Sequence, residues 1–382
     1  MGTISDKLMR IISTKEDIRQ ALISKGYDVP TSIPFKEYAK MILDLPCKAD
    51  SFPDIEGIVA RYSASGLTNE QMAANPVWVD KTGNGHDLQL KNFSWKGMSG
   101  IGGYVADIDE WGTNSTAAYF ERNSIKITAT FKENASLGLL YHNIKLRQSC
   151  VLKVTGIPEG CDAFLDDRLG NRFYMSEDGV YEIIPSNFLA EALYLSIEKY
   201  PERWYGSKLT IEQLPLYPGA LVFDGVDDYG TCDNFPILTK EKGYTVVVLR
   251  QWDQDFLNTT LTGGLLSTRN YSTGEGVAFE KIESSNKGYW NLGAGGIIDF
   301  AKSPFTWQTS KQYNNVGILK GDKNHGKPLC VGCGLSGGQQ CGRFAIWELV
   351  FLDHDATEEE LTKIKDYFVK TYPWLFPDQA WT

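Results

Sequence analysis

The spacing of apolar residues divides the chain near residue 46. Before that point Ile18, Ala21 and Leu22 recur at helical intervals behind Thr14 and Asp17, which read as a capping box, and Gly26 stands where a C′ glycine would stop the helix. A second short helix is predicted after Pro34, with Phe35, Tyr38 and Ile42 on one face. Residues 1–46 carry too little apolar surface to be stable alone, so this face must pack on the next domain or on a partner. From Ile58 onward the pattern changes to short apolar runs and period-two alternation, the pattern of strands. Predicted strands cover residues 58–62, 124–131, 150–154, 179–184, 193–197, 208–211, 244–252, 277–279, 316–319 and 343–351. Near the C-terminus Thr357 and Glu360 form a second capping box, opening a helix whose inner face is Leu361, Ile364 and Phe368.

Two turns punctuate the strand-rich part. Asp80-Lys81-Thr82-Gly83-Asn84-Gly85-His86-Asp87 contains an Asn-Gly pair suited to the two positive-φ positions of a type I′ hairpin. Phe223-Asp224-Gly225-Val226-Asp227-Asp228-Tyr229 lies between apolar runs; Gly225 tolerates positive φ, and the aspartates can cap local N–H groups.

Composition narrows the function classes. A length of 382 residues allows two or three domains, and 12% aromatic residues with 37 glycines favour β-sandwiches joined by turns. The net charge of −10, without a basic stripe, argues against a nucleic-acid partner. Residues 1–17 have charges every few positions and no apolar core of a secretory signal, and no run approaches the ~20 apolar residues of a membrane span. Seven scattered cysteines, an odd number, suit reduced thiols better than a disulfide framework.

Two resemblances follow from these motifs. Residues 14–42, with Thr14-Lys15, Ile18, Ala21-Leu22-Ile23, Lys25-Gly26, Val29, Pro34-Phe35 and Tyr38, resemble a short module near the N-termini of tailed-phage tail and fibre proteins. The 80–87 turn, the 223–229 turn, the strand at 343–351 and the helix after Thr357 together resemble a concanavalin A-like (laminin G-like) jelly-roll sandwich. In that family the first two landmarks are close together; here more than a hundred residues separate them, so a second β-sandwich is expected as an insertion. The expected organisation is a helical attachment module at 1–46, the outer sandwich at 47–103 and 219–382, and the inserted sandwich at 104–218. An insertion of this kind is tolerated where its two ends lie close together. The resemblances imply a virion protein made in the host cytoplasm, such as a fibre, spike or decoration protein. It would attach to other virion proteins through Ile18, Leu22, Phe35 and Tyr38, and assemble as a homo-oligomer, a trimer by analogy. A bacterial carbohydrate-binding surface protein is the alternative.

A glycoside hydrolase needs paired carboxylates; the nearest approach, residues 107–111, misses the family's order and spacing and reads as a solvated acidic loop, so no enzyme is expected. Cys330, Cys333, Cys341 and His325 lack the spacing of a zinc site and read as core or half-exposed thiols. Calcium is conceivable at Asp224, Asp227 and Asp228, but capping is preferred and no cofactor is expected. The favoured site is a host-glycan face made by Arg250, Trp252, Trp290 and Trp307, since sugars stack their C–H faces on exposed rings.

Overall fold

The computed structural model describes residues 52–105, 112–113, 118–123, 125–133, 138–145, 149–184, 187, 192–236, 243–253, 263–267, 278–281, 287–290, 297–299, 305–310, 329–335 and 339–376, together with Lys15. The predicted N-terminal helices with Ile18, Leu22, Phe35 and Tyr38, the acidic stretch 107–111, the predicted strand at 316–319 and His325 lie outside the described residues. The fold is mainly β, built from antiparallel sheets with few helices.

The strand Arg343–Leu352 is the centre of a six-stranded sheet. Along one side it pairs with Thr245–Trp252; along the other it pairs with Leu221–Asp224 through its first half and with Ile58–Ser63 through its second. Its near-continuous apolar sequence follows from burial on both faces. Phe344, Ile346, Leu349 and Phe351 enter one core, and Ala345, Trp347, Val350 and Leu352 enter another.

The first core is closed by strands of a ten-stranded sheet, which contribute Trp78, Leu88, Leu90, Leu265, Leu266, Leu329 and Val331. The second core is covered by the helix Glu358–Thr371, whose Ile364 and Phe368 are fully buried. The Thr357–Glu360 capping box forms as predicted. Beneath the helix lies a buried polar clamp. Arg61 donates from Nε to Glu348 Oε2 at 3.1 Å and from Nη2 to Tyr367 Oη at 2.9 Å, while Tyr372 donates to Glu348 Oε1 at 2.7 Å.

Residues 112–214 form two further five-stranded sheets, each assembled only from strands of this stretch. They enclose a separate core that includes Ile127, Leu152, Val154, Leu165, Leu195, Trp204, Leu209 and Ile211. Backbone hydrogen bonds join the two ends of the stretch: Leu216 N donates to Gly103 O at 3.0 Å and Tyr217 N to Gly102 O at 2.8 Å.

Three features differ from or add to the sequence reading. Residues 80–87 are not a type I′ hairpin: Gly83 and Gly85 have positive φ but Asn84 does not. The loop is instead wound around the Asp80 carboxylate, which accepts from the backbone N–H groups of Arg61, Thr82 and His86. Second, the strand Tyr229–Cys232 follows the 223–229 turn and pairs in the ten-stranded sheet, so the turn carries the chain from one sheet to the other. Third, Cys333 and Cys341 are not free thiols. They face each other across the antiparallel pair Cys333–Leu335 and Gln339–Cys341, 4.1 Å apart at Cα, and are joined by a disulfide. Cross-strand opposition decides this, and spacing along the sequence does not reveal it. Cys150, Cys161, Cys232 and Cys330 are buried and outside the disulfide.

Candidate functional site

The four residues expected to form one glycan face are not brought together. Arg250 and Trp252 are buried. Trp252 packs edge-on against Phe344 at 5.0 Å in the core between the sheets, and Arg250 donates from Nη2 to Thr306 Oγ1 at 2.8 Å. Burial pulls the Arg250 guanidinium below its ordinary pKa. Trp307 is 39% exposed, but sits on the edge strand Phe305–Thr309 in line with Phe305, which packs against Phe368 of the covering helix. Strand parity therefore puts Trp307 on the opposite side of the sheet from Arg250 and Trp252. Trp290 closes the strand Lys287–Trp290 of the ten-stranded sheet.

The aspartates at 224–228 do converge: one oxygen from each lies within 4.8 Å of the others. Their hydrogen bonds serve the turn. Asp228, fully buried, accepts from Ser99 Oγ and from Asp224 N, each at 3.0 Å, and Asp224 Oδ1 accepts from Val226 N at 2.8 Å. Burial, and next the charge of Asp224, push the Asp228 carboxyl up to about 7, so near neutral pH it shares its site with a proton. Calcium takes six to eight oxygens, so backbone carbonyls and waters would have to complete a shell around these three carboxylates.

A different surface carries the features of a ligand site: the outer face of the five-stranded sheet containing Asp162–Asp166, Arg172–Met175 and Ala192–Glu198. Alternation sends Ala163, Leu165, Leu195 and Ile197 into the core and Asp162, Phe164, Asp166, Ser196 and Glu198 to the other side, where Phe164 and Ser196 are themselves buried at 5% exposure beneath the longer side chains. Phe164 lies opposite Tyr174 on one side and Ser196 on the other. The Arg172 guanidinium sits 4.6 Å above the Phe164 ring, and Tyr174 lies beside that ring at 5.4 Å with 44% of its surface exposed. Arg172 Nη1 donates to Tyr174 Oη at 3.2 Å and pairs with Glu198 at 3.6 Å.

At the margins Arg168 pairs with Asp166 at 3.3 Å and stacks over Tyr194 at 4.6 Å, and Lys199 pairs with Asp162. Asp162 and Asp166 are only 4% and 6% exposed, fixed acceptors at the floor of the face. Burial raises the Asp162 carboxyl, but hydrogen bonds from Lys199 and Ser176 outweigh it and hold the group below its usual range. Lys199 and Tyr200 are consecutive left-handed residues, with φ of 62° and 46°, a conformation that costs energy for side chains of this size. The bend accompanies the Lys199–Asp162 pair and leaves Tyr200 49% exposed, with the Arg203 guanidinium 4.5 Å from its ring.

The outer face of the companion sheet carries Thr128, Thr155, Thr210, Lys153 and Glu212 in register, together with the exposed side chains of Val180 and of Tyr119, which has Lys132 Nζ 4.5 Å from its ring. Sequence reasoning missed the aromatic face because Asp162–Asp166 and Arg172–Met175 are short and bounded by charges. Its signal was the alternation Asp-Ala-Phe-Leu-Asp followed by Arg-Phe-Tyr-Met.

Among the described residues no helix is long and apolar enough to cross a membrane. No protein-family model matches the chain, and no curated protein matches its sequence.

Proposed function

We propose that the chain is a non-enzymatic component of a tailed-phage particle that binds host-surface glycan through the Phe164–Tyr174 face. The carrying observation is the half-exposed Tyr174 ring ordered against Phe164 and Arg172 and flanked by Glu198. Such a ring stacks on the apolar face of a pyranose, and the guanidinium and carboxylate take its hydroxyls. In this reading the six- and ten-stranded sheets form a concanavalin A-like jelly roll, residues 104–218 form a nested second sandwich, and residues 1–46 attach the protein to other virion proteins. Homo-oligomeric, trimeric assembly belongs to the same reading by analogy. The virion assignment rests on the resemblance of residues 14–42 to phage tail and fibre modules.

Binding is favoured over hydrolysis because a glycosidase needs a carboxyl that keeps its proton at working pH. Asp162 is shifted the other way. A bacterial carbohydrate-binding surface protein could use the same face, and mass spectrometry of purified particles distinguishes the two origins.

The test of the face is titration of the full chain with host-surface polysaccharides. Tyr174→Ala should weaken binding by ~1 kcal/mol and Tyr174→Phe should largely preserve it. Reducing-end release from the same polysaccharides, abolished by Asp162→Asn or Glu198→Gln, would instead establish an enzyme.

A further inference from the structure

Resting on the glycan reading of this face, we infer that its ligand is a neutral, polyhydroxylated pyranose and not an acidic sugar. Among the described residues the face pairs three cations with three carboxylates, Arg168 with Asp166, Arg172 with Glu198, and Lys199 with Asp162, while Arg203 at the margin donates to the Glu159 carbonyl. An acidic ligand group approaching any of these cations meets a carboxylate already in place. Two of those carboxylates are buried at the floor and cannot swing aside. Displacing them would leave a buried charge without its partner, which is costly. The chain's net charge of −10 adds a long-range repulsion for polyanions.

A hydroxyl has no such conflict, because it donates and accepts at once. One sugar hydroxyl can donate to Glu198 while its neighbour accepts from Arg172, and charge-assisted bonds of this kind are the stronger ones. Tyr174 then offers its ring to the C–H face of the same sugar, so the ring and the ion pair beside it define a single subsite.

The experiment measures affinity of the full chain for two neutral polymers, dextran and galactan, and two anionic ones, polygalacturonate and polysialic acid, at low and high NaCl. The expected result is binding to a neutral polymer only, nearly unchanged by salt because no net charge is neutralised. Tyr174→Ala and Glu198→Gln should each weaken it by about threefold to tenfold, with Tyr174→Phe retaining most of it. Anionic-polymer binding that falls steeply with salt and is weakened by Tyr174→Ala overturns the neutral-ligand inference while leaving the face in place. Binding of either class that Tyr174→Ala leaves untouched, or no binding at all, removes the face from the glycan reading and this inference with it.

Discussion

Asp228 shows how one buried carboxyl couples the fold to pH. Its folded-state value near 7 lies above the ordinary 3.8, so the native state holds this proton more tightly than the unfolded chain does. The associated stabilisation is complete below the unfolded value and is lost as pH rises through about 7, at up to ~1.4 kcal/mol per pH unit. Asn reproduces the protonated group: its oxygen can accept from Asp224 N, and its amide can donate to Ser99 Oγ. Asp228→Asn should therefore unfold at a denaturant midpoint that varies less between pH 4 and 7 than that of the parent, and an unchanged pH slope would contradict the assignment. At the same scale Gly332 is confined by its surroundings. Its φ is +100°, and a Cβ there would press on the Phe223 ring and on Asp228 O.

Among the elements, the clamp of Arg61, Glu348, Tyr367 and Tyr372 ties the first strand, the central strand and the C-terminal helix together beneath the covering layer. Burial raises the Glu348 carboxyl and the Arg61 charge opposes that rise. Arg61→Met alone leaves Glu348 without its counter-charge and should cost ~3–5 kcal/mol, while pairing it with Glu348→Leu should recover much of that loss. Chemical unfolding of the two single variants and the double decides the point, and strictly additive losses would show that the two charges are not coupled. Thr357→Ala should cost ~1 kcal/mol, measured as a lowered thermal midpoint, because it removes the cap on Glu360 N.

For the whole molecule, the hydrogen-bonded approach of residues 102–103 to 216–217 makes excision a direct experiment. Replacing residues 105–215 by a short Gly/Ser bridge, which keeps Leu216 and Tyr217 in the core beneath the helix, should leave a cooperatively unfolding remainder, and the excised stretch should unfold cooperatively by itself. Loss of cooperativity in both pieces would mean one shared core. Under the proposed attachment role, removal of residues 1–46 should leave the thermal midpoint unchanged and abolish incorporation into particles. Charged substitutions at Ile18 or Leu22 should act in the same direction. A lowered midpoint with incorporation intact would instead make this segment a cap on the strand-rich part.

The sequence by itself determined the elements whose signal is local. Period-two alternation marked 150–154, 179–184, 193–197 and 208–211, which became Cys150–Thr155, Gly179–Ile183, Ala192–Glu198 and Lys208–Leu214. Capping chemistry marked the start of Glu358–Thr371, because Thr357 and Glu360 satisfy each other's backbone within one turn. Tertiary structure decided what depends on partners distant in sequence. Alternation says that Arg250 and Trp252 share a face, but not that strands from another sheet enclose it. It cannot put Trp307 on the opposite side, because that depends on the register Trp307 adopts against Val247. Cys333 and Cys341 found each other through strand pairing, and Phe164, Tyr174 and Glu198 became one surface through two registers across three strands. Local propensity acts over a few residues, whereas a binding face is made where non-local pairing aligns short segments, and only the folded chain supplies that alignment.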